Sequence, residues 1–468
     1  MQSSINRRLF LQTLTASAGV AAAQTPSRQP NILFILMDDL GWADLGCYGS
    51  KFYQTPHLDG FAKQAVRFTN AYSACPVCSP TRASILTGKY PGRLHLTNFI
   101  PGRPPRPFAK LIPPQFQQQL PLAETTLAEM LRARGYVTAE IGKWHLGTDG
   151  FTPDTQGFDL SFNTAGRHLA GTWTVQKPHT PAPGEDRADR LTLEAEKFID
   201  ARGDKPFFIY LTHHLPHIPL EARSPVVSKY ENRTPSNGQY HPVYAAMIET
   251  FDTLIGRLLK KLDDTGLTRN TVVIFTSDNG GLTAREFQGK PTTSNLPLRE
   301  GKGHLYEGGI RIPLLVRWPG VTKPGSVSHV PVSTVDWAAT LADAKGTDGE
   351  NILPVLRGSR PSKPRPLFWH YPHYSNQGGE PGAAVRLGDY KLIRFYEDDR
   401  RELYNVKADP GEKVDLTAKM AAKHSELAGL LDKWLKEIDA SMPTRNPKHD
   451  PQRETEGLSW VPKKKADD

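Results

Sequence analysis

The feature that most constrains this chain is a set of four short apolar runs, rich in β-branched and aromatic residues, each followed at once by polar ones. Residues 31–37 run into Asp38-Asp39, and residues 136–141 into Gly142-Lys143-Trp144-His145. Residues 206–211 lead to His213-His214-Leu215-Pro216-His217, and residues 271–276 to Ser277-Asp278-Asn279-Gly280. Continuous apolar runs of this length read as strands buried on both faces, the mark of a parallel sheet. Helical patterns over 127–134, 191–200 and 244–262 lie between them. The alternation predicts an α/β fold, a large mostly parallel sheet flanked by helices. In such sheets ligands bind beyond the carboxyl ends of the strands, so the four polar clusters can converge although they are far apart in sequence.

The pattern changes after residues 344–350. Short strands are expected over 384–387, 390–395 and 402–404, with Gly388-Asp389 turning between the first two. An amphipathic helix follows, carrying Leu427, Leu430, Leu431, Trp434, Leu435 and Ile438 at helical spacing. The division is therefore a larger unit over 30–345, a smaller α+β unit over 350–440 with an antiparallel sheet plus a helix, and a loose polar tail over 441–468. The Pro-rich stretch 101–121 and residues 177–184 read as loops.

Apolar residues make up 38% of the chain and charged residues 23%, as in a soluble globular protein. The formal charge of +9 is not gathered in any Lys/Arg block. It fits an anionic substrate and gives no specific reason to expect nucleic acid. Arg7-Arg8 precedes a mildly apolar stretch ending in Ala21-Ala22-Ala23, so residues 1–23 resemble a bacterial twin-arginine export signal. That resemblance implies a periplasmic or extracellular location. The stretch is too short and too weakly apolar to span a bilayer, and no other run approaches that length, so no stable membrane insertion is expected. Cys47, Cys75 and Cys78 are too few for a disulfide framework. Cys75 and Cys78 have redox or half-zinc spacing, but no second pair completes a zinc site.

Asp38, Asp39, Asp278 and Asn279 would put three carboxylates and an amide oxygen at adjacent strand ends. Like charges that close repel unless a cation neutralises them, and an all-oxygen set favours a hard ion such as Ca²⁺ or Mg²⁺. Either dipeptide alone would read as a helix cap or a turn. Lys143, His145, His217 and Lys302 could face the same pocket, a receptacle for an oxyanion.

The run Pro76-Val77-Cys78-Ser79-Pro80-Thr81-Arg82, continuing to Gly88, resembles the first signature of the type I sulfatases, whose core is Cys/Ser-x-Pro-x-Arg. Residues 135–145 resemble that family's second signature. Asp38-Asp39, His214-Leu215-Pro216-His217, Ser277-Asp278-Asn279-Gly280 and residues 301–311 are similar to further elements in family order. Glu402-Leu403-Tyr404-Asn405 with Asp409-Pro410 and Glu412 resembles its C-terminal hallmark, with Asp415 where Asn is frequent. The likeness covers roughly residues 30 to 420, to the formylglycine-dependent arylsulfatases of the alkaline-phosphatase-like superfamily.

The resemblance implies a division of roles. A maturation enzyme would oxidise Cys78 to formylglycine, whose hydrate is the nucleophile. Asp38, Asp39, Asp278 and Asn279 would hold one Ca²⁺, and Arg82 would orient the hydrate. Lys143 and Lys302 would bind sulfate, His217 would protonate the leaving alcohol, and His145 would help the sulfated enzyme break down. Substrates would be sulfate esters on small molecules or glycans, with sulfated galactose or N-acetylgalactosamine foremost. His214 beside the acid, and Arg167, His168, Trp173, His373 and Tyr374 in loops, are candidates for sugar contacts. Two other readings remain: a phosphodiesterase or phosphonate monoester hydrolase of the same superfamily, and a non-catalytic binder of sulfated glycans. The formylglycine motif weighs against the first, and the complete catalytic set against the second.

Overall fold

The computed structural model describes residues 29–104, 106–169, 173–175, 180, 182, 185–285 and 289–456. The export signal expected over 1–23 lies outside them. The strands are, in chain order, β1 (Asn31–Met37), β2 (Val66–Tyr72), β3 (Leu111–Ile112), β4 (Val137–Gly142), β5 (Leu160–Gly166) and β6 (Trp173–Val175). They continue with β7 (Phe207–Thr212), β8 (Thr271–Ser277), β9 (Arg311–Arg317), β10 (Val327–Ser328) and β11 (Val332–Ser333). The last are β12 (Pro366–Tyr371), β13 (Gly382–Leu387), β14 (Tyr390–Phe395), β15 (Arg401–Asn405) and β16 (Thr444–Arg445).

The large sheet has ten strands in the order β10-β2-β9-β8-β1-β7-β4-β5-β6, with β11 also paired to β2. The four runs singled out in the sequence are the adjacent strands β8, β1, β7 and β4, all parallel. Their register matters most for function. Met37 pairs with Ser277, so Asp38 and Asp278 leave the sheet side by side. Gly142 pairs with Thr212, which brings Lys143 level with His213. β9 runs antiparallel to β8 and β2, and β6 antiparallel to β5, so the sheet is mixed at its flanks.

Because side chains alternate along a strand, each central strand feeds two cores. Leu33, Ile35, Ile209, Leu211 and Phe275 pack on the Arg187–Ala201 and Pro242–Asp264 helices. Ile32, Phe34, Phe208, Tyr210 and Ile274 face the other way, with Ile85, Leu127 and Trp337 from helices on that side. Burial on both faces explains why these strands read as largely apolar runs, broken in β4 by buried Thr138 and Glu140.

β12 to β15 form a separate four-stranded antiparallel sheet in sequence order. One face buries Val385, Leu392 and Leu403 under Leu427, Leu431 and Trp434 of the Ala421–Glu437 helix. The other face packs Trp369, Tyr371 and Ile393 on Tyr72, Cys75 and Val77 of the larger unit. The Trp369 indole donates to the Ser73 carbonyl at 2.7 Å, pinning the segment that leads into Cys78.

The expected loose tail is corrected for residues 441–456. β16 pairs with β3, a strand inside the Pro-rich stretch that had read as loop. Asn446 donates to the carbonyls of Pro107 and Ala109, and the Arg453 guanidinium lies 3.5 Å from the Phe108 ring centroid. The polar tail is thus held by backbone pairing to a short strand whose Leu111 is buried. Among the described residues no helix is long and apolar enough to cross a membrane.

Candidate active site

The Cys78–Thr87 helix starts at Cys78 itself, and all ten of its residues are buried. The Thr81 hydroxyl donates to the Cys75 and Val77 carbonyls at 3.1 and 3.2 Å, fixing the turn that delivers the cysteine. Arg82 lies one helical turn beyond Cys78, so both face the strand ends. Its Nε and Nη2 donate to Asp278 Oδ2 at 3.0 and 2.7 Å, and its Nη1 donates to the Lys143 carbonyl at 2.6 Å. One guanidinium therefore ties together the ends of β8 and β4.

The acidic set converges as the register requires. Asp38, Asp278 and Cys78 offer ligand atoms within 4.8 Å of one another, as do Asp38, Asp39 and His217. Asn279 Nδ2 donates to Asp39 Oδ1 at 2.8 Å, and the Asp39 backbone N–H donates to Asp278 Oδ1 at 3.2 Å. Asp38 Oδ1 and Asn279 Oδ1 are buried with no hydrogen-bond donor among the described residues. Orphaned buried oxygens are costly, and an oxygen-seeking cation is the partner that such a set fits. Burial, followed by the neighbouring Asp38, pushes the Asp278 carboxyl up to about 7 despite Arg82. Burial also opposes ionisation of Asp38, but Lys143, His217, Arg82 and Lys302 together bring it well below its ordinary value.

The basic set closes around these oxygens. Lys143 Nζ is 2.6 Å from Asp38 Oδ2, and Lys302 Nζ is 2.8 Å from Asp39 Oδ2. Burial favours neutral Lys302, but Asp39 and the surrounding charge outweigh it and hold the ammonium. His217 places Nε2 3.6 Å from Asp39 Oδ2, while its Nδ1–H donates to the Ile218 carbonyl at 2.5 Å. His145 places Nδ1 3.3 Å from Cys78 Sγ and donates from Nε2 to the Ile100 carbonyl at 2.5 Å. These tautomers follow from the carbonyl partners, which only accept. Burial lowers the pKa of both imidazoles, with Lys302 adding to the effect at His217 and Lys143 at His145.

Burial raises the Cys78 thiol above its ordinary value, so a reactive thiolate is disfavoured even beside two lysines. Cys47, Cys75 and Cys78 are all free, and Cys75 is buried three residues before the site.

A cleft of about 650 Å³ opens from this cluster, lined by Asp38, Lys143, His145 and His217 and by Asn163, Thr164, His168, Arg187 and His214. Of the expected sugar contacts, His214 and His168 reach it. Arg167 does not: its guanidinium pairs with Glu221 at the surface. His373 does not either, being buried with its Nε2 on the Thr97 hydroxyl at 2.8 Å and its ring against Phe116. Tyr374 donates to Glu397 at 2.5 Å beneath Arg106, away from the cleft. Trp173 is in β6, opposite Gly166, but its side chain lies outside the described residues. The sequence reading missed Arg187, a residue in the first turn of a helix whose only signal was a place on the buried face.

The family model described as Sulfatase matches residues 30–347, and one described as N-sulphoglucosamine sulphohydrolase, C-terminal, matches residues 301–441. Human arylsulfatase A is 34% identical, over 88% of this chain and 88% of its own length. The N-acetylgalactosamine-6-sulfatase of Canis lupus familiaris is 33% identical, over 90% of this chain and 82% of its own. The crystal structure of Ps i-CgsB in complex with k-i-k-neocarrahexaose superposes with a TM-score of 0.75 at 28% identity, over 92% of this chain and 97% of that one. A phosphonate monoester hydrolase of Agrobacterium radiobacter, 19% identical with a TM-score of 0.65, shares the fold. The chain belongs to the sulfatase family and is a sulfuric ester hydrolase.

Proposed function

We propose that this sulfatase cleaves sulfate esters of carbohydrates, using a formylglycine made from Cys78 by a maturation enzyme and a Ca²⁺ held by Asp38, Asp39, Asp278 and Asn279. The observation that carries the metal assignment is the pair of buried, donorless oxygens, Asp38 Oδ1 and Asn279 Oδ1, in a wholly oxygen ligand set. A bound calcium ion supplies charge neutralisation and polarises the oxygens it touches. An aldehyde hydrate at position 78 offers one hydroxyl to attack sulfur and a second whose deprotonation expels sulfate, an exit that a thiol lacks.

The chain's own residues supply the rest. The Lys143 and Lys302 ammonium groups, now on carboxylates, meet the sulfate oxygens. The unprotonated Nδ1 of His145, beside position 78, takes the hydroxyl proton. His217 lines the cleft and acts as acid only as the imidazolium: with Nδ1–H held by the Ile218 carbonyl, the second proton sits on Nε2, 3.6 Å from Asp39 Oδ2, and passes from there to the leaving oxygen. Arg82 is fully buried and holds Asp278 and the Lys143 carbonyl, so it orients the cluster.

The carbohydrate assignment is supported by a relative named for N-acetylgalactosamine 6-sulfate and by the neighbour solved with a neocarrahexaose, which make sulfated galactose and N-acetylgalactosamine the first sugars to try. The resemblance of residues 1–23 to a twin-arginine export signal supports export to where such glycans are met. A panel of position-defined sulfated saccharides, assayed for released sulfate, tests the proposal. Turnover of galactose or N-acetylgalactosamine sulfates is expected, and activity confined to aryl sulfates would contradict it.

A further inference from the structure

Arg187 is 2% exposed, yet it borders the same cleft as Lys143, His145 and His217. Among the described residues, two of its five N–H groups are engaged. Nη1 donates to the Gly166 carbonyl at 2.7 Å, and Nη2 donates to His168 Nδ1 at 2.9 Å. Both acceptors are neutral. His168 in turn donates from Nε2 to the His217 carbonyl at 2.8 Å, and burial keeps its ring uncharged. Burial lowers the Arg187 pKa only to about 10, so the guanidinium remains charged.

Among the described residues no carboxylate lies within ion-pair distance of Arg187. The acids whose fields reach it are Asp38, Glu221 and Asp186, and each is engaged elsewhere. Asp38 takes Lys143, and Glu221 takes Arg167 and the His168 backbone N–H. Asp186 caps the helix through the Ala188 N–H and meets Arg223. A buried guanidinium held by neutral acceptors lacks the pairing that buried charge normally requires. It has a fixed orientation, unengaged donors and a cleft beside it, which is the arrangement that recognises a planar or tetrahedral oxyanion.

We infer that Arg187 forms a second anion subsite, and that the preferred substrate is a saccharide bearing another sulfate or carboxylate besides the scissile sulfate. The inference rests on the carbohydrate reading above. The scissile sulfate sits with Lys143, Lys302 and the acidic cluster, while Arg187 takes the second anionic group farther along the cleft. His168 fixes the guanidinium and also holds the backbone of His217, so the second anion is gripped by the wall that carries the proposed acid.

The test compares kcat/KM on matched saccharides that share one scissile sulfate, with and without a second anion, for wild type, Arg187→Gln and Arg187→Lys. One arm carries a second sulfate and the other a uronate carboxylate, which separates the two sources. Wild type is expected to prefer one bis-anionic member by roughly tenfold to a hundredfold, the range for a charge-assisted hydrogen-bonded contact. Arg187→Gln should erase most of that preference, chiefly through KM, and Arg187→Lys should keep part of it. No preference in wild type, or an equal loss on both members in Arg187→Gln, would overturn the subsite. The wild-type comparison decides even if Arg187→Gln fails to fold. Turnover of an aryl sulfate with no saccharide hydrolysed would overturn the carbohydrate reading and this inference together, whereas equal treatment of the pair by wild type overturns this inference alone.

Discussion

His145 Nδ1 lies 3.3 Å from Cys78 Sγ, and the Ile100 carbonyl fixes the opposite ring nitrogen as the one that carries hydrogen. The imidazole therefore turns its lone pair toward position 78, and burial with Lys143 keeps it neutral. His145→Ala should lower kcat by roughly 10²–10⁴-fold, the usual worth of a general acid or base. KM should change little, because the sulfate-binding lysines remain. Wild-type kcat in this variant would remove His145 from the chemistry.

His217 offers a different signature. If its Nε2 delivers the proton to the departing oxygen, the loss in His217→Ala depends on how badly that oxygen needs it. A saccharide alcohol leaves poorly and should lose roughly 10²–10⁴-fold in kcat, whereas an acidic phenol should lose far less. Rates on a series of aryl and alkyl sulfates measure this dependence. A uniform loss across the series would assign His217 to binding or structure.

The orphaned oxygens of Asp38 and Asn279 predict that metal binding and folding stability are linked. Protein stripped with a calcium chelator should gain thermal stability when Ca²⁺ is restored, by about 2.7 kcal/mol at a hundredfold excess over Kd. Asp38→Ala should abolish the gain. A melting temperature indifferent to Ca²⁺ in the wild type would contradict the metal assignment.

A second buried ionic cluster joins the two units. Lys391 of β14 contacts Glu307 at 3.1 Å and Glu412 at 2.8 Å, and all three side chains are fully buried. Burial, with the Glu307 carboxylate beside it, pushes Glu412 from 4.5 up to about 7. Glu307 is brought down to about 2, because Lys391, Arg311 and Arg386 outweigh its burial. A raised carboxyl pKa contributes stability that is present below 4.5 and lost as pH rises through 7. The lowered one contributes stability present above 4.5 and lost as pH falls toward 2. Between pH 5 and pH 8 wild type should therefore lose stability through Glu412, and Glu412→Gln should lose less over the same interval. Chemical denaturation at the two pH values measures it, and identical pH dependence in both proteins would refute the assignment.

The central strands and the metal and sulfate residues were legible in the sequence because one constraint produces both. A parallel strand buried on two faces is mostly apolar until the sheet ends, buried Thr138 and Glu140 of β4 being departures, and polar groups gather where ligands bind. The flanks were not legible. β2 alternates with half-buried Arg67, Thr69 and Asn70, and β9 contains Pro313, so neither gives an unbroken run. The Cys78–Thr87 helix shows no amphipathic period, since every one of its faces is buried. Arg187 was hidden for a related reason: an arginine in the first turn of a helix normally reads as solvated, and only its bonds to the Gly166 carbonyl at the end of β5 and to His168 hold it inward. His373 and Tyr374 erred the other way, as polar aromatic residues whose hydrogen bonds are satisfied inside the protein.

The most direct test of the account is the mass of the tryptic peptide spanning residues 68–82, measured on protein of known specific activity after co-expression with a formylglycine-forming maturation enzyme. If the nucleophile is made from Cys78, the peptide bearing an aldehyde in place of the Cys78 thiol rises in proportion to sulfatase activity, and protein with only the thiol is inactive. Full activity from protein whose Cys78 is an unmodified thiol would contradict it.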